Sequence, residues 1–327
     1  MPTDLLLPLV TDTDPTNLAV RAEKLGYDGL WLGELWGTSS FVQLTDIAAH
    51  TGEISLGTAI VNVFSRSPAV LAMTAASLDR VSGGRFRLGV GTSTKKVVED
   101  LHGMDWADPN PVRRAHETIE LTRAYLRDDG RVHYEGTIFD VHDFPSLDVD
   151  VPIYHAALGE ANRRVVARLC DGWIPHNVPF PDLDAAFAYI VDQAEEAGRD
   201  GSIEVAPYVP AAVSDDVHEA RDVIRGHVAY YVGNGRGYER AVATRFPDEA
   251  RAVADAWRNG DRTTAAANVT DEMVEALGVA GTPDRAREQF QAIADIDCVT
   301  RPLVTIPSNA DDETTMRTIT ELSPSAY

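Results

Sequence analysis

The chain of 327 residues contains only two cysteines, Cys170 and Cys298, and only three lysines among its 29 basic residues. Two thiols are too few for a disulfide framework or a cysteine-based zinc site. Both sit near predicted strands, so they read as buried thiols in a reducing compartment. No run of eighteen apolar residues occurs, which excludes a membrane-spanning helix. Met1-Pro2-Thr3-Asp4 places no basic cluster ahead of the apolar residues 5–7, so no signal peptide is expected and the cytoplasm is the expected compartment. No GxGxxG fingerprint and no GxSxG elbow is present, which argues against a dinucleotide-binding open sheet and a serine hydrolase. His116-Glu117 begins a predicted helix but is followed by Glu120, not by the second histidine that a zinc protease helix needs.

What the chain has in excess is acid. Its 51 Asp and Glu against 29 Lys and Arg give a formal net charge of −22. Such a charge strains a compact fold by self-repulsion, and molar salt screens that repulsion beyond about 3 Å. The excess of Asp with almost no Lys fits a protein of a salt-rich cytoplasm. A second reading, an acidic face for a cationic partner, fits less well because the acids are spread along the chain. Either way, nucleic acid and anionic membranes are disfavoured as partners.

Short apolar runs alternate with amphipathic helical patterns from end to end. Strands are predicted at 5–9, 29–32, 55–61, 86–90, 153–157, 172–175, 203–213 and 299–306, each followed by a helical segment. Residues 131–141 alternate around Glu135-Gly136 and predict a β-hairpin insertion at about 131–144; a helical insertion is predicted at about 233–278. Asp28-Gly29-Leu30-Trp31 and Asp171-Gly172-Trp173-Ile174 echo each other at units two and six. Eight such units predict an α/β fold, a single (β/α)8 TIM barrel with two insertions over 1–327.

In a barrel the chemistry sits just after the strands. That rule selects Thr11 and Asp12, then Gly33 to Trp36, Asn62, Gly91 to Thr94, His155 to Gly159, and Pro175 to Asn177. Glu34 is the leading candidate for proton transfer or a polar anchor, because a carboxylate buried without a partner costs several kcal/mol; pairing with a buried arginine is the alternative. Trp36 beside it reads as rim packing or substrate stacking. His155 and His176 lack an accompanying carboxylate for a metal site and read as hydrogen-bond donors lining a pocket. The small residues Ala156-Ala157-Leu158-Gly159 open a helix whose free N–H groups suit a phosphate, with Arg163 and Arg164 one turn on; a plain turn with solvated arginines is the alternative.

Residues 56–70 (LGTAIVNVFSRSPAV) and 78–91 (LDRVSGGRFRLGVG) resemble the bacterial luciferase-like superfamily, most closely its deazaflavin branch, which uses coenzyme F420. Methylenetetrahydromethanopterin reductase is similar in this stretch. The resemblance implies a TIM barrel, usually a homodimer, and an oxidoreductase moving hydride between F420 and a small organic substrate. An FMN-dependent monooxygenase and a non-catalytic cofactor-binding barrel are the alternatives. It implies a cis peptide at Ala59–Ile60 behind the cofactor ring, ring contact at Asn62, and phosphate binding at Ala157–Gly159 and Pro175–Asn177. Gly91, His155 and His176 join these as cofactor contacts, with Glu34, Trp36 and Thr92 at the reacting centre. The chain departs from the family in having Leu35 where many members place a catalytic His. It has Thr92 where the sugar-phosphate dehydrogenases place a Glu, and Leu7-Pro8-Leu9 where the reductase has a Glu. These departures argue against long-chain aldehyde, glucose 6-phosphate and methylene pterin as substrates.

Overall fold

The computed structural model describes residues 2–8, 14–108, 110–127 and 130–326; Thr11 and Asp12 lie outside them. The chain divides into two compact units, one of residues 31–174 and 190–203, the other of residues 1–30, 175–189 and 204–327.

In the unit of residues 31–174, the strands Ser55–Thr58, Phe86–Gly91, Ile153–Ala156 and Gly172–Trp173 pair in parallel, each with the next. Their side chains are almost all buried, as expected for parallel strands covered on both faces. Strand 55–61, predicted as one piece, is interrupted: Ala59–Ile60 is cis, the isomer the resemblance implied, and pairing resumes at Val61–Asn62 against Val90–Gly91. Beside the break, Gly89 admits close backbone approach. A Cβ there would lie 1.8 Å from the Thr58 carbonyl oxygen, and the Thr58 hydroxyl bonds both the Gly89 carbonyl and its N–H at 2.8 Å. The helix Pro68–Ser82 starts on Ser67, whose hydroxyl accepts from Val70 N–H, and stops at Gly83 in the left-handed region (φ +71°). Arg131–Glu135 pairs antiparallel with Asp140–Pro145. The turn between them is pinned by Glu117, whose buried carboxylate accepts from Thr137, Ile138 and Phe139 N–H.

In the other unit, Asp4–Leu6, Leu303–Thr305, Tyr208–Val213 and Val279–Gly281 form a parallel ladder in that order. The three-residue strand Val279–Gly281 was not predicted, because so short an apolar run next to helical patterns has no period of its own. The helical insertion contains Arg236–Ala243, Pro247–Arg258, Arg262–Ala267 and Asp271–Leu277. With the preceding helix Val217–Asn234 it encloses a core of Val228, Val232, Val242, Val253 and Met273.

The tetrapeptide echo has a physical basis. Asp28 accepts from Thr3 N–H at 2.8 Å and returns its own N–H to the Thr3 carbonyl. Asp171 does the same with Ile153, at 2.8 and 2.7 Å. Each aspartate therefore fixes the register at the start of a neighbouring strand. Cys170 is fully buried and Cys298 half-buried, and burial pushes both thiols up from their ordinary values.

Candidate active site

Most of the candidate residues stand at the strand ends of the unit formed by residues 31–174. Glu34 follows the strand Gly29–Leu32, and its N–H donates to the Ile60 carbonyl at 3.2 Å. Arg66 grips its carboxylate at both oxygens, Nη1 to Oε1 at 2.5 Å and Nη2 to Oε2 at 3.0 Å, and Ser40 N–H donates at 3.1 Å. Burial opposes ionisation of Glu34, but the hydrogen bond and charge of Arg66 with the Ser40 amide prevail and hold its pKa below the ordinary value. An ionised, doubly gripped carboxylate is an anchor and a poor proton donor. Of the two readings of Glu34, the structure carries the pairing. Arg66 is itself stacked over Phe41 at 5.1 Å. Trp36 stands in the same loop with 42% of its surface exposed.

Asn62 is buried at the end of the resumed strand. Its Oδ1 accepts from Phe64 and Ser65 N–H at 2.9 and 2.7 Å, and its Nδ2 lies 3.0 Å from His102 Nε2. The side chain is spent on shaping its own turn, so a ligand would meet Asn62 through its backbone. Gly91 ends the neighbouring strand, where a Cβ would come within 3.0 Å of Ile60 Cδ1. Thr92 follows half-buried.

His155 is turned inward. It is wholly buried, with Nδ1 3.1 Å from the Val90 carbonyl oxygen and Nε2 3.3 Å from Asn162 Oδ1. Burial holds the ring below its usual pKa, so it is neutral. A neutral imidazole carries one N–H, which it donates to one of these two oxygens. The imidazole thus ties a strand end to the first turn of the helix Glu160–Leu169. That helix opens on Gly159, in extended backbone, with no side chain capping it and open space around its Cα. Its first N–H groups are available to an anion. Leu158 is half-buried, and Ala157 is buried with its carbonyl accepting from Trp173 Nε1 at 2.7 Å. Arg164 donates from Nε to Gln193 Oε1 at 2.9 Å.

In the unit containing residues 175–189, the Pro175 carbonyl accepts from Tyr208 N–H at 2.9 Å. His176 is also turned inward. Its Nε2 lies 3.2 Å from His227 Nε2, and its ring packs against Tyr231 (4.2 Å), Tyr208 (4.5 Å) and Tyr238 (5.3 Å). Burial depresses both imidazoles, His227 to about 3 and His176 well below its usual value, so the pair is neutral. Asn177 follows with a left-handed backbone (φ +57°), and neither atom of its buried amide has a hydrogen-bond partner among the described residues. No group of three or more His, Cys, Asp or Glu gathers among the described residues in a way that could hold a metal ion. Sequence reasoning missed His102, Asn162, His227 and the three tyrosines. Arg66 stood in the stretch that carried the resemblance, but nothing local named its partner.

A family model for the luciferase-like monooxygenases matches residues 13–297, and the chain belongs to that family. Its fold is the luciferase-like TIM barrel. Among individual relatives, a Mycobacterium tuberculosis protein with a provisional assignment as a coenzyme F420-dependent oxidoreductase is 30% identical over 89% of this chain and 90% of its own. The 5,10-methylenetetrahydromethanopterin reductase of Methanopyrus kandleri is 28% identical over 94% and 93%. The solved structure of the coenzyme F420 dependent tetrahydromethanopterin reductase from Methanopyrus kandleri matches with a TM-score of 0.83 at 26% identity, covering 99% of this chain and 97% of that one.

Proposed function

We propose that this chain is a coenzyme F420-dependent oxidoreductase that transfers a hydride between the deazaflavin and a small organic substrate. The observation that carries this reading is the end-to-end likeness, in sequence and in fold, to F420-dependent enzymes. When bound, the cofactor supplies the carbon that gives or takes the hydride. The residues present suit it. Gly91 leaves space that a Cβ would take, the uncapped helix start at Gly159 offers N–H groups for a phosphate, and the orphaned Asn177 amide lacks a partner. The protein's own part is positioning. Asn62 holds the 62–65 turn and, with Ala59, Ile60 and Gly91, forms the proposed ring support. Ala157, Leu158 and Gly159 present backbone to the phosphate, and His155 fixes that helix start through Asn162. Glu34, through Arg66, locks the loop bearing Trp36, and Thr92 lies at the reacting centre. Pro175 and Asn177 are proposed as further cofactor contacts, with His176 holding Asn177 in place. Titration with F420 and FMN side by side, followed by absorbance, tests the assignment. Selective F420 binding, and a change in its absorbance with a carbonyl, alcohol or enone substrate, is expected; selective FMN binding overturns it.

The protein is further proposed to work as a homodimer in the cytoplasm of a salt-adapted archaeon. The adjacent helices Ser40–His50 and Pro68–Ser82 expose Val42, Val70, Met73 and Val81, four of the chain's large apolar side chains left in solvent. Thr74 and Ser77 on the same helix turn their hydroxyls back to the Val70 and Met73 carbonyls. Residues 68–78 carry no charge at all in a chain of net charge −22. A charge-free, self-satisfied face on so acidic a molecule suits a second copy of itself.

A further inference from the structure

One feature that the proposed activity leaves unused is a cleft of about 550 Å³ between the helices Pro111–Arg127 and Glu160–Leu169. The strands before these helices, Phe86–Gly91 and Ile153–Ala156, pair in parallel, so the helices lie side by side with their positive ends the same way. Val112, Arg113 and His116 on one helix face Ala161, Arg164, Val165 and Arg168 on the other, with Asn110 at the end. These positions recur at the three- and four-residue spacing that puts side chains on one helix face. Val112, Ala161 and Val165 supply an apolar floor; three arginines and a histidine supply the rim.

The composition of this lining is what sets it apart. Carboxylates outnumber basic residues 51 to 29 in the chain, yet none lines the cleft among the described residues. Glu117 does reach Arg113 at 2.8 Å, with its oxygens also accepting from the amides of residues 137–139. Glu120 stands 3.5 Å from His116. Arg168 is exposed and makes no ion pair among the described residues. A volume of this size fits a small organic ligand.

We propose that this cleft is a second ligand site, separate from the strand-end site, for an organic anion with an apolar body and two negative groups. The body lies on Val112, Ala161 and Val165, and the anionic groups meet Arg164 and Arg168 on one side and Arg113 on the other. Bidentate guanidinium contacts suit carboxylate and phosphate alike.

Calorimetric titration in low salt tests this with two probes, naphthalene-1,5-disulfonate, which has body and charge, and inorganic pyrophosphate, which has charge alone. Naphthalene-1,5-disulfonate is expected to bind the unmodified chain at one site. Joint substitution Arg164→Glu and Arg168→Glu is expected to weaken it by about tenfold or more. Ala161→Trp, which fills the floor and keeps every charge, is expected to weaken it as much. Arg251→Glu, on the helical insertion, controls for net charge and is expected to leave binding unchanged. Unchanged melting temperatures establish that the variants fold. Equal weakening by Arg251→Glu overturns the proposal, since attraction would then be diffuse. Indifference to Ala161→Trp, with pyrophosphate bound as well as the disulfonate, also overturns it and leaves an adventitious ion only. None of these titrations depends on F420, so their failure and failure of the F420 assignment are separate results.

Discussion

At the scale of single residues, Glu34 shows how a partner decides a role. Proton transfer requires a carboxyl whose pKa burial raises toward neutrality, and burial does act in that direction here. Arg66 and the Ser40 amide reverse the outcome. Replacing Glu34 by Gln would remove the charge that Arg66 faces and is expected to lower stability by about 1–3 kcal/mol, measured by urea unfolding at pH 7. Because the folded pKa lies below the unfolded one, the pair's contribution is complete above the ordinary carboxylate range and disappears as pH falls through the folded value. The Gln variant should therefore lose part of the parent's acid sensitivity. An unchanged unfolding midpoint at pH 7 would show that the pair contributes nothing. Glu34 could be selected from the sequence because it follows a strand, but Arg66 lies 32 residues away, and no local pattern connects the two.

At the scale of elements, helices were legible nearly to the residue because their ends carry chemistry: Asp14 caps Pro15–Lys24, Ser67 caps Pro68–Ser82, and Gly83 ends it. Apart from Val279–Gly281, which has no period of its own, strands were legible in place but not in extent. The predicted strand 299–306 is realised only at Leu303–Thr305, and 203–213 is split into Glu204–Val205 and Tyr208–Val213. Ladder pairing ends where the neighbouring strand ends, and a single strand's sequence does not contain that length. The helix Val217–Asn234 brings His227 and Tyr231 against His176, a contact across 51 residues. This packing carries a pH signature. Both imidazoles are depressed by burial, so below about pH 6.5 the unfolded chain binds protons that the folded chain refuses. Stability is expected to be full above that pH and to fall below it by about 1.4 kcal/mol per pH unit for each histidine. His227→Gln, which keeps a hydrogen-bonding amide near His176, should reduce that slope by about one proton's worth in denaturant titrations between pH 6 and 5. An identical slope in the variant would mean that His227 titrates normally.

At the scale of the whole molecule, two properties follow from charge and its absence. A formal charge of −22 places like charges closer together than a Debye length in dilute buffer. The thermal midpoint is expected to rise steadily from dilute buffer to molar potassium chloride; full stability in dilute buffer would remove the salt-adaptation reading. The uncharged stretch 68–78 of the helix Pro68–Ser82 is expected to hold two copies together. Val70→Asp with Met73→Asp should then give a monomer by light scattering, whereas an unchanged mass would place the interface elsewhere.

Composition, strand–helix alternation and one glycine-rich stretch were enough to determine fold class, family resemblance and the strand ends where chemistry belongs. Those signals are local or periodic, and each residue carries its share of them. The inward turn of His155 and His176, the pairing of Glu34 with Arg66, and the arginine-lined cleft were decided only by tertiary structure. Side-chain direction, burial and pKa depend on neighbours distant in the chain, and those neighbours meet only when the chain is folded.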